Sequence, residues 1–219
     1  DGGAEWRGFH IFAGSQALSA DALIDAQRAT LALAAELAEA VGEVPPLVNL
    51  GGGFGIPYFA GEQPLDVEAI GSALDEKLDR LPPSLAGSAF AIELGRWLVG
   101  EAGVYLTRVL DRKVSHGKTF LVTDGGMHHQ LAASGNFGQV VRRNYPVAIA
   151  NRMDEELVEE ASIVGCLCTP LDRLADDVLL RKAEVEDVVA VFLAGAYGLS
   201  ASPQHFLGQQ PAREMLVGS

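Results

Sequence analysis

Apolar and polar residues alternate in blocks along the N-terminal part of the chain. Residues 9–12 (FHIF), 47–50 (LVNL) and 90–93 (FAIE) are short apolar runs bounded by glycine or polar positions. That is the pattern of strands buried in an α/β layer. Between the first two, residues 20–41 are rich in alanine and leucine with polar residues along one side, and Ser19 or Asp21 stands where a helix cap is needed. Residues 66–80 set Ile70, Leu74 and Leu78 on one helical stripe. Strand, helix, strand, helix, strand predicts a parallel α/β layer or barrel. Near Gly103 the pattern changes. Residues 104–110 and 119–123 alternate or run β-branched around the turn signal His116-Gly117, and 145–150 and 161–164 read as further strands. Residues 185–195 suit a helix or a strand, and 200–212 are irregular. The expected organisation is an α/β region over 1–102 followed by an antiparallel β domain over 103–219.

Composition adds limits. Hydrophobic residues at 48% and charged residues at 21% suit a soluble globular protein with a real core. No apolar run approaches the roughly 18–20 residues of a membrane span. The start, DGGAEWRGFH, shows no basic-then-apolar leader, and an Asp at position 1 suggests a processed or shortened chain. A net charge of −13 argues against nucleic acid or anionic lipid as a partner. Cys166 and Cys168, one residue apart, neither form a disulfide framework nor supply enough ligands for structural zinc. A reducing, cytoplasmic compartment is expected, and no metal site. His128 and His129 are adjacent, which is not helical ligand spacing, and His10 reads as a core histidine.

Several short motifs carry candidate chemistry, each with a plain structural alternative. Gly51, Gly52 and Gly53 follow a buried strand in NLGGGFGIP. Such glycines let a backbone approach an anion and turn amides on a phosphate, or they form a simple turn. Pro57 breaks any dinucleotide fingerprint, and no Walker lysine follows. Ser15, after the first strand, is a phosphate donor or a cap. Glu93 and Arg96, in ELGR at a strand's end, are site residues or a local ion pair. Asp124-Gly125-Gly126-Met127 is a turn. In GCLCTPLD, Cys168 is an acid or nucleophile or else packing, with Thr169 and Asp172 close by. Tyr197, in GAYG, is a hydroxyl in a glycine turn or a core tyrosine.

Taken in order, GFHIFAGSQ, the triple glycine, ELGR, DGGM, CTPLD and GAYG resemble the ornithine/diaminopimelate/arginine decarboxylases, enzymes dependent on pyridoxal 5′-phosphate with an alanine-racemase-like fold. The CTPLD variant is most similar to the branch associated with exosortase systems and carrier-protein-linked glutamyl decarboxylation. The resemblance implies the later half of a TIM-like (β/α) barrel followed by the β domain. It implies that Ser15, Gly51, Gly52 and Gly53 bind the cofactor phosphate and that Glu93 pairs with the pyridine nitrogen. Arg96 would contact the phosphate or a substrate carboxylate, and Tyr197 would close over the phosphate. Cys168 would act as catalytic acid across a homodimer interface, while Thr169 and Asp172 would shape the substrate site. The glycine loop and Glu93 must then converge.

Departures narrow the expectation. The family's cofactor lysine has no counterpart, since Lys77, Lys113, Lys118 and Lys182 lie in unrelated contexts. The chain therefore reads as the C-terminal part of a longer enzyme, inactive alone. Phe12 stands where the family has a ring-stacking histidine, Leu94 replaces a proline, and Thr169 replaces an acidic residue. These argue against free diaminopimelate, ornithine or lysine and for another amino acid or a carrier-linked aminoacyl group. An amino-acid racemase, a non-catalytic cofactor-binding module and a nucleotide-binding module are the alternatives.

Overall fold

The computed structural model describes residues 3–137, 139 and 141–218. It forms two compact units, Asp1–Leu98 and Val99–Ser219.

The first unit is built on a parallel sheet of β1 (Gly8–His10), β2 (Leu47–Asn49) and β3 (Ala89–Ala91), in that order. Each connection carries a helix, α1 (Ala20–Val41) or α2 (Val67–Leu78), as parallel pairing demands. The sequence marks the ends of α1. Ser19 accepts the Ala22 amide at 3.3 Å, and Gly42 closes the helix at φ 78°, its amide donating to Ala38 O at 2.9 Å. Asp66 caps α2 through the Ala69 amide at 3.0 Å. The alanines of α1 let it lie close to the sheet: Ala34 and Ala38 pack with Leu31 against Val48, Leu50 and Leu85. A second cluster joins Leu23 to Phe54, Leu65 and Ile70. Each buried leucine contributes about 2 kcal/mol. A short helix, α3 (Gly95–Val99), follows β3.

The second unit is a six-stranded sheet in the order β6-β9-β4-β5-β7-β8. Its strands are β4 (Tyr105–Ser115), β5 (Lys118–Thr123), β6 (Val147–Ile149), β7 (Glu159–Val164), β8 (Arg173–Leu180) and β9 (Val188–Val191). The expected all-antiparallel domain is corrected here: β5 and β7 pair in parallel, from Thr119 opposite Ala161 to Val122 opposite Val164, so the sheet is mixed. The ambiguous 185–195 run yields only the short strand β9. The sheet is nearly closed between its outer strands by a side chain. Asn144, just before β6, donates Nδ2 to Asp176 O at 2.7 Å and accepts the Asp176 amide at 2.9 Å, standing in for a strand residue. Val109, Leu121, Ile149, Ile163, Leu174 and Val189 are fully buried.

Among the described residues no helix is long and apolar enough to cross a membrane.

Candidate functional site

In the first unit the candidate residues gather at the C-terminal ends of the three strands. Ligand sites of parallel sheets are built at that end. The glycine loop is pressed between its neighbours. A Cβ on Gly51 would lie 2.6 Å from Ile11 O, one on Gly52 2.1 Å from Glu93 O, and one on Gly53 2.3 Å from Gly14 O. Gly51 and Gly53 also adopt φ of 71° and 92°. Backbone bonds stitch the loop to both sides: Glu93 N donates to Gly51 O at 2.8 Å and Ala17 N to Gly53 O at 2.8 Å. Gln16 fixes the same junction with both ends of its amide, donating to Ile56 O at 2.6 Å and accepting the Ile56 amide at 3.4 Å.

The three glycine amides are not equivalent. Gly51 N–H donates to Asn49 Oδ1 at 2.8 Å. Among the described residues no acceptor takes the Gly52 or Gly53 amide. Ser15 is exposed on the adjacent loop. Two free amides and a hydroxyl fit a phosphate.

Glu93 lies beside this loop and is more than half exposed. Its Oε1 accepts Asn49 Nδ2 at 2.9 Å and lies 3.3 Å from His10 Nε2. His10 is therefore no core histidine: it ends β1 in the open and faces a carboxylate. Arg96 turns to Tyr58, donating to its hydroxyl at 2.8 Å with the guanidinium 5.3 Å from the ring centre. Phe12 is 56% exposed, so its ring face is open to stack on a ligand. A carboxylate acceptor, a free amide pair and an open aromatic on adjoining strand ends fit a phosphorylated, protonated heteroaromatic ring. A groove between α1 and α2, lined by Ile24, Gln27, Leu31 and Lys77, carries none of these residues.

In the second unit the organising group is Asp172, only 3% exposed. It accepts the Met127 amide at 2.6 Å and the Leu167 amide at 2.8 Å. Gly126 and Gly165 make room for it, since a Cβ on either would lie within 2.2 Å of a carboxylate oxygen. Asp172, expected to shape the substrate site, fastens two loops together. Thr169, half-buried on the same loop, accepts the Leu171 amide at 3.3 Å. Cys168 is exposed, whereas Cys166 is half-buried with its thiol 3.6 Å from Asp124 O. Burial, then Asp172 and Asp124, push the Cys166 thiol above its ordinary pKa. That leaves Cys168 as the accessible thiol of the pair.

His128, beside this loop, is fully buried, and neither ring nitrogen has a hydrogen-bond partner among the described residues. Burial, then His129, hold it below its ordinary pKa, with Asp172 working the other way. His129 stands between the Tyr105 hydroxyl at 3.1 Å and Gln210 O at 2.7 Å. Burial is also the main cause of the raised Tyr105 pKa. Tyr197 is 44% exposed at φ 55°, 6.0 Å from the Phe137 ring.

The reading of the sequence missed His10 and Asn49 as site residues. Their signal was present: each is the polar last residue of a strand that runs straight into a loop.

The family model of the pyridoxal-dependent decarboxylase C-terminal sheet domain matches residues 12–195. The chain is 40% identical over 213 residues to L-glutamyl-[BtrI acyl-carrier protein] decarboxylase of Niallia circulans, covering 95% of the chain and 50% of that protein. It is 34% identical to the diaminopimelate decarboxylase of Archaeoglobus fulgidus, covering 96% of the chain and 48% of the relative. The crystal structure of M. jannaschii diaminopimelate decarboxylase in complex with L-lysine superposes with a TM-score of 0.75 at 30% identity, over 92% of this chain and 45% of that one. The chain spans about half the length of the relatives it matches.

Proposed function

Because the chain belongs to the pyridoxal-dependent decarboxylase family, we propose that the whole protein is a pyridoxal-phosphate-dependent α-decarboxylase, of which this chain forms the later half of a TIM-like barrel and the sheet domain. The observation that carries the reading is the strand-end site of the first unit, where two unpartnered amides and a half-exposed carboxylate adjoin. In this reading the cofactor-binding part is 1–102 and the sheet domain 103–219.

When bound, the cofactor supplies a protonated ring that takes up the electron pair left as carbon dioxide departs. The chain's own residues do the rest. Gly52, Gly53 and Ser15 hold the phosphate through two amides and a hydroxyl. Glu93 keeps a proton on the ring nitrogen, because a carboxylate beside it favours the charged form. Arg96, steadied on Tyr58, presents its planar fork to a phosphate or a substrate carboxylate. Cys168, in a homodimer, delivers a proton to the substrate α-carbon in the partner subunit's site. Asp172 positions that thiol by pinning the Leu167 amide in the same loop.

For substrate, the replacement of an acidic residue by Thr169 removes a partner for a distal ammonium. The 40% identity to a glutamyl-carrier-protein decarboxylase supports a carrier-linked aminoacyl group, glutamyl in the first instance. The test is carbon dioxide release by the full-length protein with pyridoxal phosphate, from glutamyl-loaded carrier protein and from free diaminopimelate. Release from the loaded carrier supports the reading. Inversion at the α-carbon with the carboxylate retained would make it a racemase instead, and absence of cofactor binding would reject both.

A further inference from the structure

Glu93 is approached by two side chains, one donating a hydrogen bond and one in ion-pair range, whose purpose the mechanism above leaves open. Asn49 Nδ2 donates to Oε1 at 2.9 Å, and His10 Nε2 lies 3.3 Å from that same oxygen. The strand register brings them together: His10 lies opposite Asn49 across β1 and β2, and Asn49 lies opposite Ala91, two residues before Glu93. Asn49 has a second task, since its Oδ1 accepts the Gly51 amide at 2.8 Å. One amide side chain therefore ties the glycine loop to the carboxylate. Among the described residues no hydrogen bond takes Glu93 Oε2.

We propose that His10 is a positioning residue for the cofactor ring, acting with Asn49 to occupy one oxygen of Glu93 so that the other faces the ring nitrogen. The inference rests on the pyridoxal-phosphate reading of this site. A glutamate's terminal torsion is broad and two-fold, and an exposed carboxylate left alone samples many orientations. A hydrogen bond from Asn49 and the His10 imidazole at the same oxygen select one of them. The chemical types also matter. Asn49 is uncharged, and an imidazole is not a fixed cation in the way a lysine or arginine side chain is. Neither places a permanent cation on the carboxylate, which keeps its charge for the ring. A lysine or arginine at position 10 would compete with the ring for that charge.

Stability does not account for the arrangement. The His10 and Glu93 side chains are 56% and 53% exposed, and an ion pair that open contributes little to folding. Removing the imidazole is therefore expected to leave the fold intact and to alter what the carboxylate does.

The experiment uses the full-length protein as wild type, His10→Leu and His10→Gln. Pyridoxal phosphate is titrated into each, the dissociation constant and the position of the bound cofactor's absorbance band are read, and the thermal midpoint is measured without cofactor. His10→Leu is expected to weaken binding roughly tenfold, the scale of one lost hydrogen bond to a charged group, and to shift the band. His10→Gln retains an N–H donor and is expected to restore the wild-type band and most of the affinity. Thermal midpoints without cofactor stay together. A His10→Leu protein with wild-type affinity and band overturns the inference while leaving the cofactor reading intact. So does a lowered thermal midpoint that accounts for the loss and that His10→Gln does not rescue. A wild-type protein that binds no pyridoxal phosphate removes the cofactor reading and this inference with it.

Discussion

Asp172 accepts the Met127 amide at 2.6 Å across 45 positions of sequence, and this bond joins the turn after β5 to the loop that carries Cys168. With Leu167 N bound at 2.8 Å to the other oxygen, a single buried carboxylate satisfies two amides. Asp172→Asn turns one acceptor into a donor facing an N–H. We expect it to lower stability by about 2–3 kcal/mol, the cost of leaving buried groups unpaired, and to raise the alkylation rate of the half-buried Cys166 thiol. Denaturant unfolding and thiol labelling of the full-length protein check both effects.

Gly52→Ala sets a methyl group 2.1 Å from Glu93 O, so the ends of β2 and β3 must part. We expect loss of pyridoxal phosphate binding together with lower stability. Gly71→Ala is the matched control, since nothing lies within 4 Å of its Cβ position inside α2. Removing a helical glycine is expected to stabilise by about 0.5–1 kcal/mol with cofactor binding unchanged. Thermal unfolding and cofactor titration separate the two.

His128 gives the stability a pH dependence of known sign. Burial holds its folded pKa below the ordinary 6.5, so the unfolded chain binds the proton more readily. Its contribution is complete above pH 6.5 and is lost as pH falls through the lowered folded value. His128→Leu, of similar volume, is expected to flatten the denaturant midpoint against pH just below 6.5 relative to wild type.

Asp187 acts lower on the pH scale. Burial opposes its ionisation, but bonds from Arg152 Nε at 2.6 Å, the Glu184 amide at 2.7 Å and Asn151 Nδ2 at 2.6 Å outweigh it and hold its pKa below the ordinary range. The resulting stability is present above the ordinary 3.8 and is lost as pH falls through the depressed value. Asp187→Asn is expected to destabilise at neutral pH by about 2–3 kcal/mol and to remove that acid-side slope, read by urea unfolding between pH 2 and 5.

The parts of the fold legible in the sequence were those specified locally. α1 runs from Ala20 to Val41 because Ser19 and Gly42 mark its ends, and its apolar stripe needs no knowledge of the partner. β8 was not legible. Asp176 and Asp177 sit at the centre of RLADDVLL, against strand preference, and only tertiary partners make them tolerable. Asp176 meets Arg142 and Arg173, while Asp177 meets Lys118 at 2.5 Å and leaves the regular strand at φ 44°. The parallel pairing of β5 with β7 was equally hidden, because alternation fixes a strand's faces but not its direction. At the site, the motif residues were visible one by one. The grip of His10 and Asn49 on Glu93 was not, since it exists only where three strand ends meet.

The most direct test of the central claim is a crystal structure of the full-length protein grown with pyridoxal phosphate. The account expects the phosphate within hydrogen-bond reach of the Gly52 and Gly53 amides, and the ring nitrogen against Glu93. A fully occupied cofactor bound elsewhere, with those amides facing only solvent, would contradict it.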